Sequence, residues 1–89
     1  MSTQYETATK QVEAIRRSGV TNMLEVGTVQ LYAKEVEAHE LLLEIEQGSN
    51  SDYMDLLTEA AERDFGTEAT EEIEQLAETA RNTTVTVEV

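Results

Sequence analysis

The stretch RSGVTNMLEVGTVQLYA, residues 17–33, decides how this chain folds: the apolar pattern on either side is helical, and only a break here turns a rod into a bundle. Upstream, Tyr5, Ala8, Val12 and Ile15 recur at steps of three and four, the stripe of an amphipathic helix. Gly19 follows Ser18 where a left-handed helix stop is expected. Asn22 can cap a further turn, with Glu25 three residues on at the spacing of a capping box. That turn must be short, because Gly27 interrupts it and Thr28 offers a fresh N-cap. From Val29 the pattern Val29, Tyr32, Ala33, Val36 resumes one helical face. The stretch reads as a helical corner that closes the core, with Met23, Leu24 and Val26 tucked inward.

Working outward, Leu42 and Ile45 do not continue the preceding face, so a bend is expected near Glu37 and Ala38 before a further helix to Gln47. Gly48, Ser49, Asn50 and Ser51 form the clearest turn. The next helix carries Tyr53, Leu56, Leu57, Ala60 and Ala61 on its apolar face and stops near Phe65 and Gly66. Thr67 then caps a last helix, with Ala69, Ile73, Leu76, Ala77 and Ala80 inward and Glu68, Glu71, Glu72 and Glu78 toward water. The fold class expected is therefore mainly all-α, a small bundle of four to five helices. Its core draws on Val12, Ile15, Val29, Tyr32, Val36, Leu42, Ile45, Leu56, Leu57, Ile73 and Leu76.

The character changes after Asn82. Residues 83–89, TTVTVEV, alternate with period two and are rich in β-branched side chains, the pattern of a short C-terminal β-strand. A lone strand is not stable. It pairs with Val20–Val26, pairs with another chain to give a homodimer through residues 83–89, or remains a tail. The chain thus divides into an acidic helical domain, 1–82, and a strand or tail, 83–89.

Nineteen Asp plus Glu against six Lys plus Arg give a formal net charge of −13. Such a chain is repelled by nucleic-acid phosphates and anionic lipids, which argues against direct nucleic-acid or membrane binding and for a basic partner. Salt adaptation is the competing explanation, since the only lysines are Lys10 and Lys34; yet the acids are mostly glutamate, a good helix former, with aspartate limited to Asp52, Asp55 and Asp64. Arg16 and Arg17 close the first helix, where cations favour the negative end of its dipole. No cysteine, no apolar run beyond Leu41–Leu43 and no signal-like block point to a cytoplasmic protein.

No catalytic constellation is found. The single histidine, His39, lacks a Glu-x-x-His or His-Glu-x-x-His setting, and Glu37, Glu40 and Glu44 nearby could hold a cation only loosely. Ser2, Ser18, Ser49 and Ser51 lie at termini or turns, and the glycines are too scattered for a phosphate cradle. No catalytic residue, cofactor or metal is expected, and no enzyme.

Residues Ala14-Ile15-Arg16-Arg17-Ser18-Gly19-Val20-Thr21-Asn22-Met23, with Val29-Gln30, Ala33, Glu40-Leu41, Ile45-Glu46 and Tyr53, resemble an uncharacterised family of short phage and prophage proteins, a domain of unknown function. The likeness spans about residues 12–57, and its best marker is the Gly-x-Thr-Asn-Met turn. The chain departs from it in its acidity, in Glu37 where a small residue is expected, and in the added last helix and strand. The resemblance implies a mobile-element origin and brings no activity.

These strands meet in one expectation: a non-enzymatic acidic protein of phage type that binds a basic, nucleic-acid-binding host protein in the host cytoplasm. Glutamates on a helix face repeat every three or four residues, a rise of about 6 Å for four, so the face can act as a nucleic-acid mimic in the manner of anti-CRISPR inhibitors. The candidate contacts are Glu59, Glu62, Glu68, Glu71, Glu72, Glu74 and Glu78, with Met23 and Leu24 as secondary, adaptable apolar contacts. The alternatives are an assembly protein that dimerises through its strand and a salt-adapted helical domain.

Overall fold

The computed structural model describes residues 3–83. Five helices follow one another among them: α1 Thr3–Ser18, α2 Val26–Glu35, α3 His39–Gln47, α4 Asn50–Glu62 and α5 Thr67–Arg81. The all-α bundle expected from the periodicity is present, with no strand among the described residues. Apart from Thr83, the strand expected over 83–89 lies outside them.

Helix α1 is the axis, and each of the other four packs against it. Its stripe of Ala8, Val12 and Ile15 is completely buried against Val29, Ala33, Leu41, Tyr53, Leu56 and Ala60. Ala14, on another flank, meets Ile73 and Ala77 of α5 in a second cluster that Phe65 and Leu76 border. Fully burying one Leu or Ile stabilises the fold by about 1.5–3 kcal/mol relative to leaving it exposed. With few large side chains inside, the many buried alanines let the helices approach closely.

The corner forms, with a different interior from the one expected. Gly19 takes φ 70°, the left-handed stop. Asn22 starts a short turn, as expected: its Oδ1 accepts the backbone N–H of Leu24 at 3.0 Å, and its carbonyl accepts that of Glu25 at 3.0 Å. The local side-chain bond wins over the capping box. Helix α2 then begins at Val26 and runs through Gly27 and Thr28, with Glu25 as an N-cap whose side chain caps no backbone N–H and accepts the Thr28 hydroxyl at 3.5 Å. Met23 is half-buried against the core, whereas Leu24 is 67% exposed and does not tuck inward.

The bend at Glu37 and Ala38 is where the sequence places it. The N–H of Ala38 reaches the carbonyl of Ala33 at 2.7 Å and that of Glu37 reaches Lys34 at 3.2 Å, the paired bonds of a Schellman motif. The left-handed position in that motif is held by Glu37, φ 59°, where glycine is the usual occupant. Helix α3 has no capping side chain of its own, since Ala38 stands before it. Gln11 of α1 supplies one: its Oε1 accepts the N–H of Leu41 at 2.9 Å while its Nε2 donates to Glu40 at 2.9 Å. Helix α4 starts with a reciprocal capping box between Ser49 and Asp52.

Of the expected core, Val12, Ile15, Val29, Leu56 and Ile73 are buried. Tyr32, Val36, Leu42, Ile45, Leu57 and Leu76 are only half-buried, lying at the margins of the two clusters. The central leucine of α3 is instead Leu41, at 0% exposure in the main cluster, and its backbone N–H is the one Gln11 of α1 accepts. Ala61, expected on the buried face of α4, is exposed, and Gly66 rather than Thr67 precedes α5 as its N-cap.

Two substitutions test this architecture. Leu41→Ala should cost about 2–5 kcal/mol in chemical denaturation, and Leu43→Ala, 39% exposed, well under half of that. Glu37→Gly should stabilise by about 0.5–1 kcal/mol, because relief of a left-handed non-glycine residue outweighs the added freedom of the unfolded chain; an unchanged or lower midpoint would show that Glu37 is not strained.

Candidate functional site

The cations of this acidic chain are not spread over it. Three of them sit along the junction of α1 and α5, Lys10, Arg17 and Arg81, and Arg16 is next to Arg17 on α1. Beside them on α1 lies Glu13, whose side chain is 1% exposed. Arg16 approaches it with Nε to Oε1 at 2.6 Å and Nη2 to Oε2 at 2.8 Å, and Arg17 adds Nε to Oε2 at 2.6 Å. Three and four residues apart on one helix, the arginines reach back from either side and roof the carboxylate. The buried Glu13 carboxylate is thus held by two guanidinium groups whose side chains are 40% and 32% exposed. Burial alone pushes its carboxyl up, but the hydrogen bonds from Arg16 and Arg17 outweigh that and hold it below the usual glutamate range. The pair at the end of α1, read from sequence as a helix-dipole feature, therefore has a specific counter-ion.

The same junction divides the seven candidate glutamates. Glu72 meets Lys10 at 3.2 Å and Glu74 meets Arg17 at 3.3 Å, so these two flank α5 and tie it to α1. Arg81, which pairs with Glu78 at 3.1 Å within α5, also donates to the carbonyl of Arg17. Glu59 accepts the Tyr5 hydroxyl at 3.3 Å. Glu62, Glu68 and Glu71 are exposed and have no ion-pair or hydrogen-bond partner among the described residues. The seven do not form one uniform face: on α5, Glu68, Glu71 and Glu78 share the outer stripe opposite Ile73 and Ala77, and Glu72 and Glu74 belong to the seam.

The secondary pair at the corner also separates. The backbone carbonyl of Met23 accepts the Tyr53 hydroxyl at 2.7 Å, which anchors the corner to α4, and Leu24 projects into solvent. Burial pushes the Tyr53 phenol up to about 12, so it remains a donor across the physiological range.

Two of the surface clefts lie beside α3. One, of about 340 Å³, is walled by Tyr5, Glu44, Asp52 and Asp55; burial and then the charges of Glu59, Asp55 and Glu44 raise the Tyr5 phenol. The other, of about 510 Å³ between α2 and α3, has Leu31 and Leu42 inside and Lys34, His39 and Glu46 at its edge. No group of three or more His, Asp or Glu among the described residues is placed to hold a metal ion. Near His39, Glu40 and Glu44 are turned instead to Gln11 and Gln4 of α1. No described helix is long and apolar enough to cross a membrane.

Sequence reading missed Glu13, Gln11 and the hydroxyl bond of Tyr53. Glu13 had a usable signal, two arginines at i+3 and i+4; the others are set by tertiary contact alone. A family model described as "Domain of unknown function (DUF5049)" matches residues 5–59. No curated protein and no solved structure matches the chain.

Glu13 yields a prediction with a definite sign. Its folded pKa is depressed, so the stability it contributes is fully present above the usual glutamate range, from about pH 5 upward, and is lost as pH falls through the folded value. Glu13→Gln should cost about 1–3 kcal/mol near neutrality, less than a fully buried pair because both arginines are solvated. The gap between the two proteins should narrow steadily below about pH 4; a gap that stays constant with pH would rule out the charge as its source.

Proposed function

The chain belongs to the family described as a domain of unknown function, DUF5049, and we propose that it serves as a non-enzymatic acidic binding module whose partner is a basic, nucleic-acid-binding protein. The observation that carries this reading is the exposed group Glu62, Glu68 and Glu71, to which the fold assigns no cation among the described residues. With Glu78 on the same outer stripe and Glu59 on the preceding helix, these carboxylates offer a basic groove what a phosphate backbone offers it: closely spaced negative charge on a rigid support. A role as a nucleic-acid mimic of mobile-element origin, acting in the host cytoplasm in the manner of an anti-CRISPR inhibitor, follows this reading. Glu72 and Glu74 contribute to the local field but are engaged by the seam, so the contact surface is narrower than the seven glutamates together.

A second reading rests on a different observation. Exposed acids also occur on α2, α3 and α4 and in the loop after α4, at Glu35, Glu46, Asp55 and Asp64, so the charge is not confined to one face. Salt adaptation accounts for such a distribution without any partner.

The two are separated by paired measurements. Neutralising the outer group with Glu62→Gln, Glu68→Gln and Glu71→Gln should weaken capture of the partner from host lysate about tenfold, roughly 1.4 kcal/mol, and flatten its salt dependence. The contact of the parent protein should fade as screening shortens from about 8 Å at physiological ionic strength to about 3 Å at 1 M. If binding is indifferent to the three substitutions, the acidic-face reading fails; a stability that climbs steeply with molar salt, without any partner, favours salt adaptation.

A further inference from the structure

Helix α5 is held differently from the others. Its extensive contact is with α1 alone, and its buried Ile73 and Ala77 meet Ala14 in a cluster separate from the main core. The family match ends at residue 59, so the family's domain comprises α1 to α4 and α5 follows it. Between them runs a four-residue connection, Arg63–Gly66, that leaves α4 in an extended conformation at Arg63, and nothing lies within 4 Å of where a side chain at Gly66 would begin.

The α1 face beneath α5 is at the same time the most cationic on the molecule. Lys10 and Arg17 stand on either side of Ala14, and α5 answers them with Glu72 and Glu74 on either side of its apolar stripe. Small apolar centre, charged edges and complementary signs are the anatomy of an interface between two proteins. Here both halves belong to one chain.

We propose that this face of α1 is a docking surface for an acidic amphipathic helix, that α5 is its resident occupant, and that the α5 of a second copy takes its place to give a dimer by exchange of α5. Every seam contact is identical in the exchanged dimer, and the difference lies in the path of residues 63–66. Because each chain carries −13, repulsion opposes the dimer at low ionic strength, and moderate salt at high protein concentration favours it. The inference does not depend on what the outer face of α5 binds.

Complementary variants of the full chain test it. One carries Lys10→Glu and Ala14→Leu, which set a carboxylate and a longer side chain against an unchanged α5. The other carries Glu72→Lys and Ile73→Ala, which set a cation and a shorter side chain against an unchanged α1. Each is mismatched alone, but an exchanged heterodimer has one parental seam and one seam in which both reversals meet. Mixing the two should double the mass seen by light scattering, with neither doing so alone. All four substitutions in one chain restore the seam in cis and should fold and behave as the parental chain does, monomeric when dilute, which shows the redesigned seam to be sound. Should the size changes prevent folding, Lys10→Glu and Glu72→Lys alone serve the same design, since that pair is 39% and 65% exposed. A mixture of folded variants that stays monomeric at high concentration and moderate salt overturns the proposal.

Discussion

Everything in this fold leans on α1, and the constraint it must meet is to be covered on most of its circumference while remaining a polar helix. Its sixteen residues include Gln4, Lys10, Gln11, Glu13, Arg16 and Arg17. A helix in that position in a larger protein would be apolar all round. Here the polar residues are matched one by one: Gln4 to Glu44, Gln11 to the start of α3, Lys10 to Glu72, and Arg16 and Arg17 to Glu13. No buried side-chain polar atom among the described residues lacks a hydrogen-bond partner. That completeness matters because an orphaned buried group costs about 1–3 kcal/mol, a large share of what so small a core supplies.

How much of this could be read from the sequence follows from the range of the interaction involved. The stop at Gly19, the bend near Glu37 and the turn at Gly48–Ser51 were legible because each is set within a few residues by backbone geometry. The start of α2 was not, since Asn22 has two local bonds open to it and the sequence does not say which wins. The choice of Leu41 over Leu42 as the buried residue of α3 goes with the contact α3 makes with α1, thirty residues earlier. Periodicity in a nine-residue helix leaves a one-position ambiguity that only such a contact resolves.

The candidate site shows the same division. That α5 carries an acidic outer face was plain from the spacing of its glutamates, but spacing could not tell outward carboxylates from those at the seam. Glu71 and Glu72 are adjacent in sequence and both exposed, yet the helix turns only Glu72 toward Lys10. Arg63 lies over the Phe65 ring at 5.7 Å, Arg81 takes Glu78 within α5, and Glu72 and Glu74 meet their cations on α1, some sixty residues away.

The distribution of the few cations carries the wider consequence. An acidic protein must place its positive charges where repulsion would otherwise prevent close packing, and α1 against α5 is that place: Glu72 and Glu74 meet Lys10 and Arg17 there, Arg81 donates to the carbonyl of Arg17, and Glu13 beside them on α1 takes Arg16 and Arg17. Removing those cations from the rest of the surface leaves the span from α2 to α4 with Lys34 as its only positive side chain. The unmatched acidity is therefore a by-product of securing one seam as much as a feature of any single helix. A partner that recognises this protein by charge meets a field shaped by what the α1–α5 junction has withdrawn, and its specificity has to come from the short-range shape of the carboxylates left over.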